Sequence, residues 1–325
     1  MELICPAGTP TALKSAIEAG ADAIYCGFND ETNARNFPGL NFSRSELSEA
    51  ITFAHGRGVK ILVAINTFPR ASALDLWQRA VDDAVEAGAD ALILADIGLM
   101  DYAARRHPGQ RLHVSVQAAA ANPDAIAYYV ETFGAQRVVL PRVLSVPEIA
   151  AITREVSCET EVFVFGGLCV MAEGRCSLSS YATAKSPNMQ GVCSPASHVA
   201  YAQTAQGVSS RLGGFTINQF APDEPAGYPT LCKGRFSTEL GAGYIFEDPV
   251  SLDATTLLSG LRDVGVSALK IEGRQRGRAY VESVVRHFRH ALTALETGSE
   301  ADVTRLNRLT EGQATTLGAY RKTWR

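Results

Sequence analysis

Basic residues are not in excess: 30 Lys and Arg stand against 34 Asp and Glu, a formal charge of −4. No polyelectrolyte tail or overt nucleic-acid footprint dominates, and any RNA or membrane partner must be met by a local surface. Long apolar runs are also missing. The longest, Val162 to Ala172, falls short of the roughly 18 residues a spanning helix needs, and the start, Met1-Glu-Leu-Ile-Cys-Pro, lacks the basic stretch of a secretory leader. A soluble, cytoplasmic protein is expected. The seven cysteines, an odd number, argue against a disulfide framework and leave metal binding, catalysis or burial. Absent too are G-x-G-x-x-G after a strand, a P-loop, H-E-x-x-H and G-x-S-x-G, so common nucleotide and hydrolase readings lose support.

What is present is a chain of 325 residues, 46% hydrophobic and 20% charged, which excludes disorder and suits two average domains or one barrel with an insertion. Three segments repeat the same punctuation: Ile17-Glu-Ala-Gly-Ala-Asp-Ala-Ile-Tyr, Val85-Glu-Ala-Gly-Ala-Asp-Ala-Leu-Ile and Val264-Gly-Val-Ser-Ala-Leu-Lys-Ile. In each, a helix-stop glycine leads into a short apolar run without alternation, as a strand covered on both faces requires. Eight such strands are predicted: Leu3 to Pro6, Ala23 to Gly27, Lys60 to Asn66, Ala91 to Asp96, Leu112 to Gln117, Arg137 to Pro141, Glu161 to Phe165 and Ala268 to Glu272. Amphipathic helices fall between them, among them Ser45 to Arg57, Ala73 to Ala87, Asp124 to Phe133 and Pro147 to Val156. The expected fold is α/β, a (β/α)8 TIM-like barrel; a doubly wound sheet is the structural alternative. About 100 residues separate strands seven and eight where roughly 30 suffice, so a β-rich, cysteine-bearing insertion is expected there. The expected division is a barrel over 1–185 and 250–296, an insertion over 186–249 and a C-terminal tail over 297–325. A basic last helix, Arg278 to Leu295, precedes that tail.

Four cysteines, Cys169, Cys176, Cys193 and Cys232, fall in one window of 64 residues that begins at the end of strand seven. In a barrel that end carries the active site, and four thiolates there would suit zinc or an iron-sulfur cluster. Their spacings, C-x6-C, C-x16-C and C-x38-C, contain no C-x2-C pair, and burial as small hydrophobes stays open. For Cys5, Cys26 and Cys158, on or beside strands, burial is expected. A second set follows the strand ends: Asn66, Asp96, Gln117, Arg142, Glu272 and Arg274, with Asn33, Arg35 and Asn36 after strand two. Any single member could be a helix N-cap or a rim ion pair; the arginines together suggest a carboxylate-bearing or otherwise anionic ligand. Arg35, Asn66, Gln117, Arg142, Glu272 and Arg274 are the candidate substrate- and donor-binding residues. His113, within strand five, is expected to be a core or supporting residue.

Five stretches together, Glu2-Leu-Ile-Cys-Pro-Ala-Gly, Asn33-Ala-Arg, Glu173-Gly-Arg-Cys, Tyr228-Pro-Thr-Leu-Cys-Lys and Lys270-Ile-Glu-Gly-Arg, resemble the collagenase-like peptidase family of unassigned mechanism. His113-Val-Ser-Val-Gln, Val138-Val-Leu-Pro-Arg-Val-Leu-Ser and Thr315-Thr-Leu-Gly-Ala-Tyr place the likeness in its oxygen-independent ubiquinone-hydroxylating branch. The resemblance implies a [4Fe-4S] cluster on Cys169, Cys176, Cys193 and Cys232, and an oxygen-independent hydroxylase subunit acting on a quinone precursor. It further implies a heterodimer with a UbiV-like homologous subunit, a UbiT-like lipid-binding accessory protein, and prephenate as oxygen donor. One departure is visible: where many members continue Cys-x-x-Pro-Cys-Arg, Ser194-Pro-Ala-Ser follows Cys193 here, so a fourth ligand would come from Cys232. RNA base hydroxylation and peptidase activity are the alternatives, the latter without a recognisable nucleophile, base and oxyanion hole.

Overall fold

The computed structural model describes residues 1–299, 306, 309–310 and 314–321. The chain opens with β1 (Glu2–Pro6), α1 (Pro10–Glu18), β2 (Ala23–Cys26), α2 (Arg44–His55), β3 (Lys60–Ile65), α3 (Leu74–Glu86), β4 (Ala91–Leu94) and α4 (Ile97–Arg106). It continues with β5 (Leu112–Val114), α5 (Pro123–Phe133), β6 (Arg137–Val139), α6 (Val146–Glu155) and β7 (Glu159–Gly167). Local chemistry starts these helices where the sequence suggests. Thr9 and Asn122 accept the N–H groups of Ala12 and Ala125 just ahead of Pro10 and Pro123, and Ser43 with Glu46 and Ser145 with Glu148 form capping boxes.

Two short helices, α7 (Leu178–Thr183) and α8 (Pro187–Gln190), then lead into β8 (Val199–Thr204), β9 (Gly207–Leu212) and β10 (Phe215–Phe220), an antiparallel three-stranded sheet. A separate hairpin, β11 (Arg235–Thr238) and β12 (Gly241–Tyr244), completes the β-rich stretch between β7 and the eighth barrel strand. After β13 (Ser251–Asp253) and α9 (Leu258–Asp263) comes that strand, β14 (Ala268–Ile271), followed by α10 (Arg278–Thr297) and β15 (Thr315–Thr316).

The strands β1 to β7 pair in parallel in chain order, and β14 pairs with both β1 and β7, so the sheet closes into an eight-stranded barrel. The TIM-like reading holds over the doubly wound one, because an open sheet has no pairing between its first and last strands. Strand seven runs beyond its expected end. Its last residues, Phe165 to Gly167, take β13 as an antiparallel neighbour, and β13 takes β15 in parallel. A region left without secondary structure in the sequence reading thus returns to the barrel, while 300–305, 307–308, 311–313 and 322–325 of the tail lie outside the described residues. Strand five ends early, at Val114, and a 3-10 turn over Val116–Ala118 replaces the expected extension to Gln117.

Two apolar clusters form the core. The larger lies between strands and helices and includes Trp77, Phe165 and Phe288; the smaller lies inside the barrel and is half alanine, Ala23, Ala64, Ala91 and Ala268 beside Ile4, Tyr25, Leu62 and Ile93. Barrel interiors are commonly filled by bulky branched residues. Alanines here leave room for charged side chains and for a cavity.

Candidate functional site

A cavity of about 1020 Å³ lies over the C-terminal ends of the barrel strands, walled on one side by the segments between β7 and β13. All six candidate binding residues line it: Arg35, Asn66, Gln117, Arg142, Glu272 and Arg274. Asp96 does not. It caps α4 through the Leu99 N–H, the bland role open to any single strand-end residue.

The six differ in what they have left to offer a ligand. The Asn66 amide is consumed internally, accepting from the Ala34 N–H at 3.0 Å and donating to Ser115 Oγ at 3.0 Å, so it braces the loop after β2 against β5. Arg274 is buried and donates to Asn33 Oδ1 at 2.6 Å; burial lowers its pKa to about 10. Arg35 lies 3.5 Å from Glu272, and this carboxylate, drawn below the usual range by Arg35 and Arg142 against the opposing effect of burial, also accepts weakly from the Gly167 N–H at 3.4 Å. Arg35 thus faces a carboxylate, whereas the partner of Arg274 is the neutral Asn33 amide oxygen. Backbone proximity makes this possible: a Cβ on Gly8 would sit 1.8 Å from the Arg274 carbonyl oxygen, so only glycine lets the β1 and β14 loops meet.

Four residues that sequence reasoning passed over, Tyr25, Phe163, Glu173 and Lys270, also line the cavity. Lys270 Nζ donates to Glu161 Oε1 at 2.6 Å and lies 3.8 Å from the centroid of the Tyr25 ring. Burial lowers the Lys270 pKa, and Tyr25 in turn donates its hydroxyl to the Ile271 carbonyl. Glu173, 4% exposed, lies with its Oε1 at 3.4 Å from Arg142 Nη1, and the Arg142 guanidinium stacks at 3.8 Å over Phe163. Neither oxygen of Glu173 has a partner in good hydrogen-bond geometry, and burial raises its pKa against the pull of Arg142 and of the nearby Glu173 and Arg142 backbone N–H groups. An unsatisfied buried polar group costs about 1–3 kcal/mol, and more when charged. The signals for Glu173 and Lys270 were their places in Glu173-Gly-Arg-Cys and Lys270-Ile-Glu-Gly-Arg.

Cys169, Cys176, Cys193 and Cys232 all line the cavity wall as free cysteines. The expected [4Fe-4S] cluster is nevertheless not borne out. Among the described residues, no group of three or more His, Cys, Asp and Glu side chains is arranged to hold a metal ion. The physical reason lies in their placement, on separate segments from the end of β7 to the 3-10 turn before β11. Burial pushes the Cys169 thiol up to about 12 and raises that of Cys232. The metal-binding and iron-sulfur expectation is corrected accordingly. Cys5 and Cys26 are buried and Cys158 half-buried, as expected of core thiols.

Among the described residues, no histidine lines the cavity, so no Cys–His pair is formed there. His113 lies elsewhere, buried in β5, where its Nε2 accepts from Arg111 Nε. Among the described residues no helix is long and apolar enough to cross a membrane.

Relatives of this chain carry two kinds of name. It is 32% identical over 96% of its length to tRNA hydroxylation protein P of Escherichia coli, of which it covers 72%. It is 31% identical over 93% of its length to an uncharacterized protease of Methanocaldococcus jannaschii, covering 67% of that protein. It is also 30% identical over 91% of its length to the Escherichia coli 23S rRNA 5-hydroxycytidine C2501 synthase, of which it spans only 40%. The shared stretch in all three is the barrel with its inserted strands, and the match of residues 8–319 to one family model takes in every element that builds the cavity from α1 onward: the chain belongs to peptidase family U32.

Proposed function

We propose that this chain hydroxylates a base of RNA, with the oxygen supplied by an organic anion held at Arg35 and Arg274. The observation that carries the reading is the cation surplus at the strand ends, where Arg35 faces Glu272 and Arg274 is held by the neutral Asn33 amide, in a chain whose relatives include RNA-hydroxylation proteins. A guanidinium fork binds a carboxylate bidentately, so a hydroxylated dicarboxylate such as prephenate suits that end of the cavity. Peptidase chemistry has less support, since the cavity offers no histidine to activate a thiol. The test is mass spectrometry of nucleosides from tRNA and rRNA of a strain lacking the chain. Loss of a hydroxylated pyrimidine, restored by the wild-type chain and poorly by Arg274→Lys, supports the reading; unchanged RNA overturns it.

One observation favours a second reading, that of a UbiU-like subunit hydroxylating a quinone precursor. Tyr181, Leu240, Ile245 and Phe246, on the segments between β7 and β13, are exposed, as contact with a lipid-handling, UbiT-like partner or a UbiV-like homologous subunit would require. Quinones extracted from the same strain grown without oxygen separate the two readings.

A further inference from the structure

We propose that Glu173 and Arg142 together read the polar edge of a neutral ring, Glu173 accepting from a ring N–H and Arg142 donating to the adjoining carbonyl. A pyrimidine base presents such an edge. The inference deepens the RNA-base reading above and rests on it.

The two residues reach the cavity from different elements. Arg142 follows β6, and Glu173 lies in the segment after β7. Phe163, on β7, holds the guanidinium plane from below at 3.8 Å, so Arg142 is oriented without help from Glu173. Their 3.4 Å approach is an ion pair without a hydrogen bond, and both Glu173 oxygens are buried with no partner in good hydrogen-bond geometry among the described residues. The other carboxylates lining the cavity do accept hydrogen bonds: Glu224 from the Ala221 N–H and Arg235, and Glu272 weakly from the Gly167 N–H. Glu173 is therefore a buried carboxylate at this cavity with its acceptor capacity unspent.

Charge sorts the ligand. Arg142 and Glu173 cancel, so this side of the cavity favours a neutral group that carries one donor and one acceptor side by side. The Arg35, Arg274 and Glu272 side keeps one positive charge over and favours an anion. The Glu173 segment is also held in place. Gly174 has φ +77°, and a Cβ there would sit 1.9 Å from the Gln117 carbonyl oxygen, so the backbone after Glu173 lies directly against the 3-10 turn that follows β5. Such a close seat pre-orients the carboxylate before a ligand arrives.

The experiment measures binding of uridine and of 3-methyluridine, whose ring N–H is blocked, to the purified full chain by calorimetry or ligand-observed NMR. Wild-type protein is expected to bind uridine at least about tenfold more tightly than 3-methyluridine. Glu173→Ala should bring the two to equality, and Glu173→Gln, which keeps one carbonyl acceptor, should retain part of the preference. A melting curve identifies a variant that fails to fold, in which case Glu173→Gln and Arg142→Lys, expected to weaken uridine binding, carry the test. Equal binding of the two nucleosides by wild type, no uridine binding at about 10 mM, or an undiminished preference in folded Glu173→Ala overturns the proposal. The two readings fail separately. If Glu173→Ala restores hydroxylated nucleosides in full to the deletion strain, the edge-reading role falls and the RNA reading stands; if the deletion leaves RNA unchanged while the nucleoside preference holds, the reverse follows.

Discussion

The two ends of the barrel both bury arginines against glutamates, and they do so differently. At the N-terminal end Arg137, on β6, donates to Glu2 of β1 and to Glu159 and Glu161 of β7, while Arg111 joins Glu159 at 2.6 Å and Lys60 joins Glu2 at 2.6 Å. Every guanidinium nitrogen of Arg137 has a carboxylate partner. At the C-terminal end the ion pairs are long, 3.4 Å for Arg142 with Glu173 and 3.5 Å for Arg35 with Glu272, and the first makes no hydrogen bond. Buried charges with all bonds made tie strands together; buried charges with bonds to spare are available to something else. The lower network reads as structure and the upper one as binding surface, in keeping with the usual division of barrel faces.

The comparison is most exposed to Arg137→Ala. Removing the shared partner takes one of two cationic partners from each of three carboxylates, leaving Lys60 to Glu2, Arg111 to Glu159 and Lys270 to the buried Glu161, and the expected loss is about 3 kcal/mol in urea unfolding. Glu173→Gln at the other end breaks no hydrogen bond and should cost under about 1 kcal/mol; if it costs as much as Arg137→Ala, the two ends are alike and the distinction fails. Between these lies Gly174→Ala, where a positive φ and the abutting Gln117 carbonyl predict a loss of about 1–3 kcal/mol, read as a lowered melting midpoint and weaker nucleoside binding.

Acidity probes the lower network separately. Burial, reinforced by Arg137 and Arg111, holds the His113 imidazole well below its ordinary 6.5, so the folded chain keeps it neutral while the unfolded chain protonates it. The unfolded state then binds more protons from pH 6.5 downward, and stability should fall with a slope approaching about 1.4 kcal/mol per pH unit until the folded-state value is reached. Glu2 and Glu159 are held below 4.5 by Lys60 with Arg137 and by Arg111 with Arg137, each against burial, and their contribution is lost only at still lower pH, as these carboxylates protonate in the fold. Denaturation of His113→Gln followed from pH 7 down to about pH 3 should lose the upper slope and keep the acid limb. A wild-type profile flat from pH 7 to 5 would remove His113 from the network. The smallest effect belongs to the exposed pair of Asp75 and Arg79 on α3, where Asp75→Ala should leave the melting midpoint unchanged.

Much of this arrangement was legible in advance. The helix-stop glycines Gly20, Gly88 and Gly265 take positive φ where the repeated punctuation placed them, and the strands that follow begin at Ala23, Ala91 and Ala268. The six polar residues after strands gathered at one cavity, because consecutive parallel strands of a closed barrel end on the same face. The cysteines show the limit of such reasoning. Their clustering in sequence correctly placed them on one wall, but ligation demands side chains converging to within a few ångströms, and the path of the segments between β7 and β13 does not provide that among the described residues.

Local pattern by itself determined the number and order of the barrel strands, the starts of most helices and the identity of the strand-end residues, since apolar periodicity and capping chemistry act within a few neighbours. Only the tertiary structure decided which charge meets which. Glu161 bonds Lys270 across 109 positions and Tyr320 donates to the Phe163 carbonyl across 157, and such pairings follow from strand register and barrel closure, which no window of sequence contains. The same holds for Glu173. Its composition marks it only as a glutamate beside a glycine; the seat of Gly174 against Gln117 and the stacking of Arg142 on Phe163 leave it buried with its oxygens unpaired, because both contacts are made by backbone and side chains brought together only when the barrel closes.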